Sequence, residues 1–216
     1  MSAPVRTAPL GDQALLLVFG DRIDAGAHER VMAAARAIRD ATPDGIRELV
    51  PAYTTLGVWF DPSRREHGEL GEELVRLVSG LPATDAVEPG TEHVIPVRYD
   101  GPDLAEVAEH TGLSLAEVIA RHSRRAYVVR LLGFVPGFAY LGELDPSLAL
   151  PRRTPPRQRV PAGSVAIAGE QTAVYPLDTP GGWHLIGRTD LVLFDPRRDR
   201  PALLAVGDRV RFVPSP

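Results

Sequence analysis

The 216-residue chain carries a net charge of −4, with 44% hydrophobic and 24% charged residues, the make-up of a globular protein long enough for one large or two small domains. The negative balance excludes a general electrostatic attraction to nucleic acid or anionic lipid. Cys and Lys are both absent and all 24 basic residues are Arg. That removes disulfides, thiolate and Cys-metal chemistry, Schiff bases and the P-loop lysine, and leaves guanidinium and backbone N–H groups to hold anions.

The first residues, Met1-Ser2-Ala3-Pro4-Val5-Arg6, place no apolar stretch behind a basic start. The longest apolar run, Ala14–Phe19, is too short to span a bilayer, so no membrane partner and a cytoplasmic location are expected. Leu15–Phe19 reads as a buried strand. Asp24 is placed to cap a helix from Ala25 to about Arg39, with Val31, Ala34, Ala35 and Ile38 on one face. After the Pro43-Asp44-Gly45 turn come two β-rich runs, Ile46–Val50 and Thr55–Phe60. A second amphipathic helix follows over Glu66–Val78, directing Leu70, Leu74, Leu77 and Val78 inward. This predicts two helices on one face of a small antiparallel sheet.

Pro82–Gly90 lacks periodicity and reads as a linker, so the chain divides into an α+β domain over 1–89 and a second domain over 90–216. The second opens with a strand at His93–Val97. Two short helices follow, with Asp103 and Glu106 as one candidate capping box, Ser114 and Glu117 as another, and Gly112 ending the first helix. The 103–122 segment has helix-turn-helix spacing. Its second helix, however, offers Leu115, Ala116 and the acid Glu117 where a recognition helix needs donors to bases, so an αα-corner is expected. From Ala126 onward short β-like runs alternate with Gly and Pro: Tyr127–Leu132, Ser164–Ala168, Thr172–Tyr175, Trp183–Ile186, Leu191–Phe194 and Arg209–Val213. This texture predicts a barrel or sandwich.

Chemistry-bearing residues concentrate between Gly133 and Arg188. Gly133-Phe134-Val135-Pro136-Gly137-Phe138-Ala139-Tyr140 and Gly181-Gly182-Trp183-His184 set backbone N–H groups beside rigid rings, the build of a groove. Arg152, Arg153, Arg157 and Arg159 lie on a Pro-stiffened segment suited to clamping an anion. Each feature also admits a plain structural reading: Gly-Gly as a hairpin turn, Trp183 and Phe138 as core, the arginines as a solvated loop. In the groove reading, four loops meet in space: Phe134–Tyr140, Arg152–Arg159, Gln171–Tyr175 and Gly181–Arg188. Arg157 and Arg159 are then exposed and dispensable for stability. Ser164 lacks the Gly-x-Ser-x-Gly elbow and reads as structural. No His, Asp or Glu spacing suggests a metal.

Taken in order, these motifs resemble the carboxyltransferase C/D-type domain of the family that joins allophanate hydrolase subunit 1, the B-type subunit of 5-oxoprolinase and KipI. Gly11–Leu16, Pro51–Thr55 and Ile95–Tyr99 extend the resemblance across the chain, which departs from the family pattern with Ala at 166 and 173, where Gly is usual, and His at 184, where Gln is common. The resemblance implies an α+β N-terminal domain and a cyclophilin-like β-barrel. It also implies a subunit of an ATP-dependent complex that opens 5-oxoproline to glutamate or acts on allophanate, inactive alone. Its partner would be a homologous second subunit, of the allophanate hydrolase subunit 2 or C-type 5-oxoprolinase kind, joined in the 5-oxoprolinase branch by a third. The KipI branch implies instead an inhibitor of a histidine kinase. No P-loop is present, so ATP would sit at a site shared with a partner subunit. On this reading Arg153, Arg157, Arg159 and Arg188 clamp anions, and Gln171 and His184 orient an amide or carbonyl. Phe134, Pro136, Phe138, Tyr140, Tyr175, Gly181, Gly182 and Trp183 form the surrounding surface.

Overall fold

A computed structural model describes residues 4–22, 25–81 and 90–216. The chain start at Met1–Ala3, the candidate cap Asp24 and all of the linker segment except Gly90 lie outside the described residues. The chain falls into two compact units, Met1–Glu88 and Pro89–Pro216.

The first unit runs β1 (Arg6–Pro9), β2 (Ala14–Val18), α1 (Ala25–Ala41), β3 (Ile46–Pro51), β4 (Thr55–Phe60) and α2 (His67–Val78). Its antiparallel sheet has the order β1-β2-β4-β3. Alternation along the strands puts Leu15, Leu17, Leu56, Val58 and Phe60 into one core. Val31, Ala34, Ala35 and Ile38 of α1 and Leu70, Leu74 and Val78 of α2 close over them. β1 carries no apolar alternation and is held by backbone pairing to β2, which is why the sequence pattern passed over it.

The second unit contains β5 (Glu92–Val97), α3 (Leu104–Thr111), α4 (Leu115–Ser123), β6 (Ala126–Leu132), β7 (Ala139–Gly142), β8 (Arg157–Val160), β9 (Ser164–Ala168), β10 (Gln171–Val174), β11 (Thr179–Gly181), β12 (His184–Arg188) and β13 (Arg209–Pro214). Seven strands form one sheet in the order β12-β9-β10-β7-β6-β13-β5, and β8 and β11 make a separate ribbon. The fold is therefore α+β with a barrel-like second unit. Its two sheet edges meet where Arg98 pairs antiparallel with Arg188. Each N–H reaches the other's carbonyl, at 2.9 and 2.8 Å, and the seam continues through Gly101 N–H to Ile186 O (3.3 Å) and Asp103 N–H to Leu185 O (3.0 Å). Glycine is required here for space. A Cβ on Gly101 would lie 2.3 Å from Leu185 O, and one on Gly187 would lie 2.6 Å from Arg98 O.

β9 is buried at every position because both its faces are covered. Val165 and Ile167 point into the barrel core, while Ala166 and Ala168 face a second, aromatic cluster. The capping box at Ser114 and Glu117 is present. Asp103 makes no side-chain cap, because its carboxylate is engaged elsewhere. The expected strand at Leu191–Phe194 does not form, apart from one bridge from Phe194 to Ala202. The edge of β12 beyond β9 is already taken by residues 98–103, so no ladder position is left for it. Among the described residues no helix is long and apolar enough to cross a membrane.

One polar chain crosses the barrel core. Tyr99 donates to His122 Nδ1 (2.7 Å), His122 Nε2 donates to Thr172 Oγ1 (2.8 Å), and Thr172 donates to Ala166 O (3.0 Å). The hydrogen-bond sequence assigns the Nε2–H tautomer. The fully buried imidazole stacks on Phe212 at 4.6 Å, and burial lowers its pKa to about 3. The unfolded value is about 6.5. A depressed folded pKa contributes stability that is present above pH 6.5 and lost as pH falls toward 3, by up to about 1.4 kcal/mol per pH unit. His122→Leu is expected to lower stability at neutral pH by about 1–3 kcal/mol, since Tyr99 and Thr172 lose a buried partner. It should also flatten the fall in urea midpoint between pH 6.5 and 4 relative to wild type. Parallel pH profiles for the two proteins would refute the assignment.

Candidate functional site

The expected site residues sort into two groups that the fold assembles and two arginines that it places apart. The first group is aromatic. Phe138, Tyr175 and Trp183 are buried, and with Tyr140 they pack edge to face at centroid distances of 4.8 to 5.9 Å. Ala166, Ala168 and Ala173 leave the depth for these rings on the outer face of the sheet. Phe138 and Trp183 are thus core residues and do not line an open groove. Phe134 is the exception, 59% exposed at a φ of 73° and touching Phe138 edge-on at 5.4 Å. Its loop closes through a turn in which Phe138 N–H returns to Val135 O, with the exposed Pro136 and then Gly137 (φ 78°) at the two central positions. That is the Pro-Gly arrangement of a type II turn.

The second group surrounds a buried carboxylate. Asp103 is 2% exposed. Its Oδ2 accepts the Leu185 N–H (2.7 Å), its Oδ1 accepts Arg157 Nη2 (2.6 Å), and Arg153 Nη1 stands 3.3 Å from the same Oδ1. Arg153 also donates to Glu106, and that bond holds the Glu106 carboxyl below its usual range. The β8–β11 ribbon sets Arg157 opposite Gly181, and Arg153 N–H bonds Gly182 O at 2.7 Å. The glycine pair therefore works as a backbone rail for the arginine segment. His184, 6% exposed, donates from Nε2 to Pro151 O (2.9 Å), while its Nδ1, like Arg157 Nη1, is buried and has no hydrogen-bond partner among the described residues.

Arg159 and Arg188 stand apart. Arg159 donates to Asp178 from Nε (2.8 Å) and Nη2 (2.5 Å), and Arg188 donates to Asp100 (3.0 and 2.7 Å) at the barrel seam. Gln171 begins β10 beside the hairpin turn from β9 and is half-buried. The four arginines expected as anion clamps are thus each matched to an acid. Ser164 donates its hydroxyl to Pro161 O (2.7 Å). Among the described residues no three His, Asp or Glu side chains come close enough to hold a metal ion. In the sequence Asp103 and Glu106 read as helix-capping residues. Nothing local distinguishes a cap from a carboxylate that reaches a strand 82 residues away.

The model of the carboxyltransferase domain, subdomain C and D, matches residues 5–204. The B-type subunit of 5-oxoprolinase from Bacillus subtilis (strain 168) is 40% identical over 99% of this chain and 94% of its own length. The protein of the same name from Escherichia coli O157:H7 is 44% identical over 95% and 94%. The crystal structure of TTHA0988 superposes with a TM-score of 0.81 at 46% identity, covering 94% of this chain. This chain spans only 40% of that longer one.

Asp103→Ala strands the Arg157 charge and the Leu185 N–H, and is expected to lower unfolding stability by about 3–5 kcal/mol. Arg157→Ala uncovers the same carboxylate and is also destabilising, contrary to its reading as a free surface clamp. Arg159→Ala should leave the melting temperature nearly unchanged, because its side chain is 78% exposed. Equal melting temperatures for all three variants would contradict this ranking.

Proposed function

The chain belongs to the family of the carboxyltransferase domain, subdomain C and D, and from that premise we propose that it is one subunit of a multi-subunit, ATP-dependent 5-oxoprolinase that opens 5-oxoproline to glutamate. The observation that carries the reading is the 40–44% identity, along nearly the whole chain, to two proteins that bear the name of the B-type 5-oxoprolinase subunit. The side chains favour a binding and positioning role over bond-making. Lys and Cys are absent, and the Ser164 hydroxyl is bonded to a carbonyl. The Tyr99 and Thr172 hydroxyls reach a histidine only inside the sealed core. ATP, in this reading, occupies a site completed by a partner.

The partner is a homologous second subunit, with a third completing the assembly. Support comes from the TTHA0988 chain, in which the part resembling this protein is 40% of one longer polypeptide. The Phe134 ring is an anchor of the kind that concentrates binding energy at interfaces, a rigid exposed aromatic on a fixed turn.

Two measurements test the reading. The purified chain alone is expected to show no turnover of 5-oxoproline. Co-purified with its partner subunits, it should support 5-oxoproline-dependent ATP hydrolysis, and allophanate should not substitute. Phe134→Gly removes the ring at a backbone position that glycine prefers, so the melting temperature should hold or rise while partner affinity falls tenfold or more. Turnover by the lone chain, or an assembled complex indifferent to 5-oxoproline, would sink the proposal.

A further inference from the structure

Two exposed loops of the second unit lean on each other. The Pro136-Gly137 turn, which follows the exposed Phe134 ring, rests against Phe194. A Cβ on Gly137 would lie 2.7 Å from Phe194 Cβ, so the loops meet with no room for a side chain between them. Just ahead of Phe194, Val192 and Leu191 are 51% and 37% exposed. The loop they open is pinned. Leu193 and Leu204 are buried in the barrel core on either side of it. Leu203 N–H bonds Leu193 O (2.8 Å), Asp195 N–H bonds Pro201 O (2.9 Å) and Arg198 N–H bonds Asp195 O (3.2 Å). Single exposed valines need no explanation. An aromatic and two aliphatic side chains held open on adjoining, hydrogen-bonded loops have the pattern of a contact surface.

The charge at the loop tip is opposite to that of the chain. Residues 195–200 hold three arginines against two aspartates, in a chain of net charge −4. Arg198 donates to Val192 O (3.3 Å), which sets a guanidinium beside the exposed valine. Asp195 bonds Arg197 and stands 3.9 Å from Arg198. Arg200 is exposed and has no acid partner among the described residues. An apolar centre with a basic margin, on an acidic body, selects a partner that is both apolar and acidic at the matching place. A second copy of this chain does not fit, because a two-fold contact would set basic tip against basic tip.

We propose that the Phe134 turn and the 191–200 loop form one docking surface, which takes an apolar, carboxylate-flanked segment of the second subunit. The inference deepens the assembly reading above and rests on it for the identity of the partner. Phe134, Leu191 and Val192 supply the centre that becomes buried, and Arg198 and Arg200 the margin that steers association.

The affinity of the full chain for the purified second subunit, measured by surface plasmon resonance at low and at high salt, tests the surface. Val192→Asp is expected to weaken binding about tenfold or more, because a carboxylate then enters the apolar centre. Arg200→Glu should weaken it about threefold or more at low salt, chiefly through slower association, and flatten its salt dependence. Both positions are exposed, so the melting temperatures should stay within a few degrees of wild type. Leu115→Asp, at a similarly exposed leucine on α4, is the control and should leave affinity unchanged. Alone, the chain should sediment as a monomer. A dimer that Val192→Asp dissolves would mean that the surface pairs with a second copy, and overturns the proposal. Wild-type affinity in both Val192→Asp and Arg200→Glu, or an equal loss in Leu115→Asp, overturns it too. If the complex turns over 5-oxoproline and both variants assemble like wild type, the surface is wrong and the functional reading stands. If both variants weaken a complex that ignores 5-oxoproline, the functional reading falls and the surface stands. Absence of any binding by the wild-type chain overturns both.

Discussion

The carboxylate of Asp103 ties the second unit together. One of its oxygens accepts a backbone N–H from β12, and the other holds the Arg157 guanidinium, with Arg153 close by. Its own N–H bonds back to Leu185 O, so one residue makes a two-way junction across the seam where the sheet edges meet. An ionised group this deeply buried is tolerated only when paired and fully hydrogen-bonded. The arginine segment is therefore a requirement of closing the barrel, and barrel geometry in turn sets where the arginines stand.

That coupling shapes what the site can do. Arg153 and Arg157 read in the sequence as free anion clamps, yet most of their charge is answered within the chain. What remains is small and local: Arg152, which has no acid partner among the described residues, and the exposed Phe134 ring. These suit recognition and assembly. The aromatic cluster behind them supplies rigidity, since Phe138, Tyr175 and Trp183 fill the space left by three alanines and fix the loops that carry the polar groups.

Elements whose signal is periodic were legible from the residues alone. The helices over 25–41 and 67–78, the αα-corner and most barrel strands announce themselves by apolar spacing and by caps such as Ser114 with Glu117. The failures share a cause, which is that partners far along the chain decide the outcome. Leu191–Phe194 has strand composition and no free edge to join. Phe138 and Trp183 look alike as groove rings and as core rings, because burial is set by Ala166 and Ala173 on other strands. Asp103 precedes a helix as a cap would, and only the position of β12 reveals its use. Arg152 was legible as one of four arginines on a stiff segment, with nothing local to set it apart from Arg153 and Arg157. The division of the site into core rings, paired charges and open polar groups was not in the sequence.

The central claim is that the Asp103 carboxylate, and not a strand ladder, holds the Leu185 N–H at the seam. Native-state hydrogen exchange reads it directly. The account predicts that the Leu185 amide exchanges only through global unfolding, as slowly as Ile167 in the barrel core, and that Asp103→Ala accelerates Leu185 far more than Ile167. A Leu185 amide that exchanges orders of magnitude ahead of Ile167 in the wild-type protein, or that is unaffected by Asp103→Ala, would contradict it.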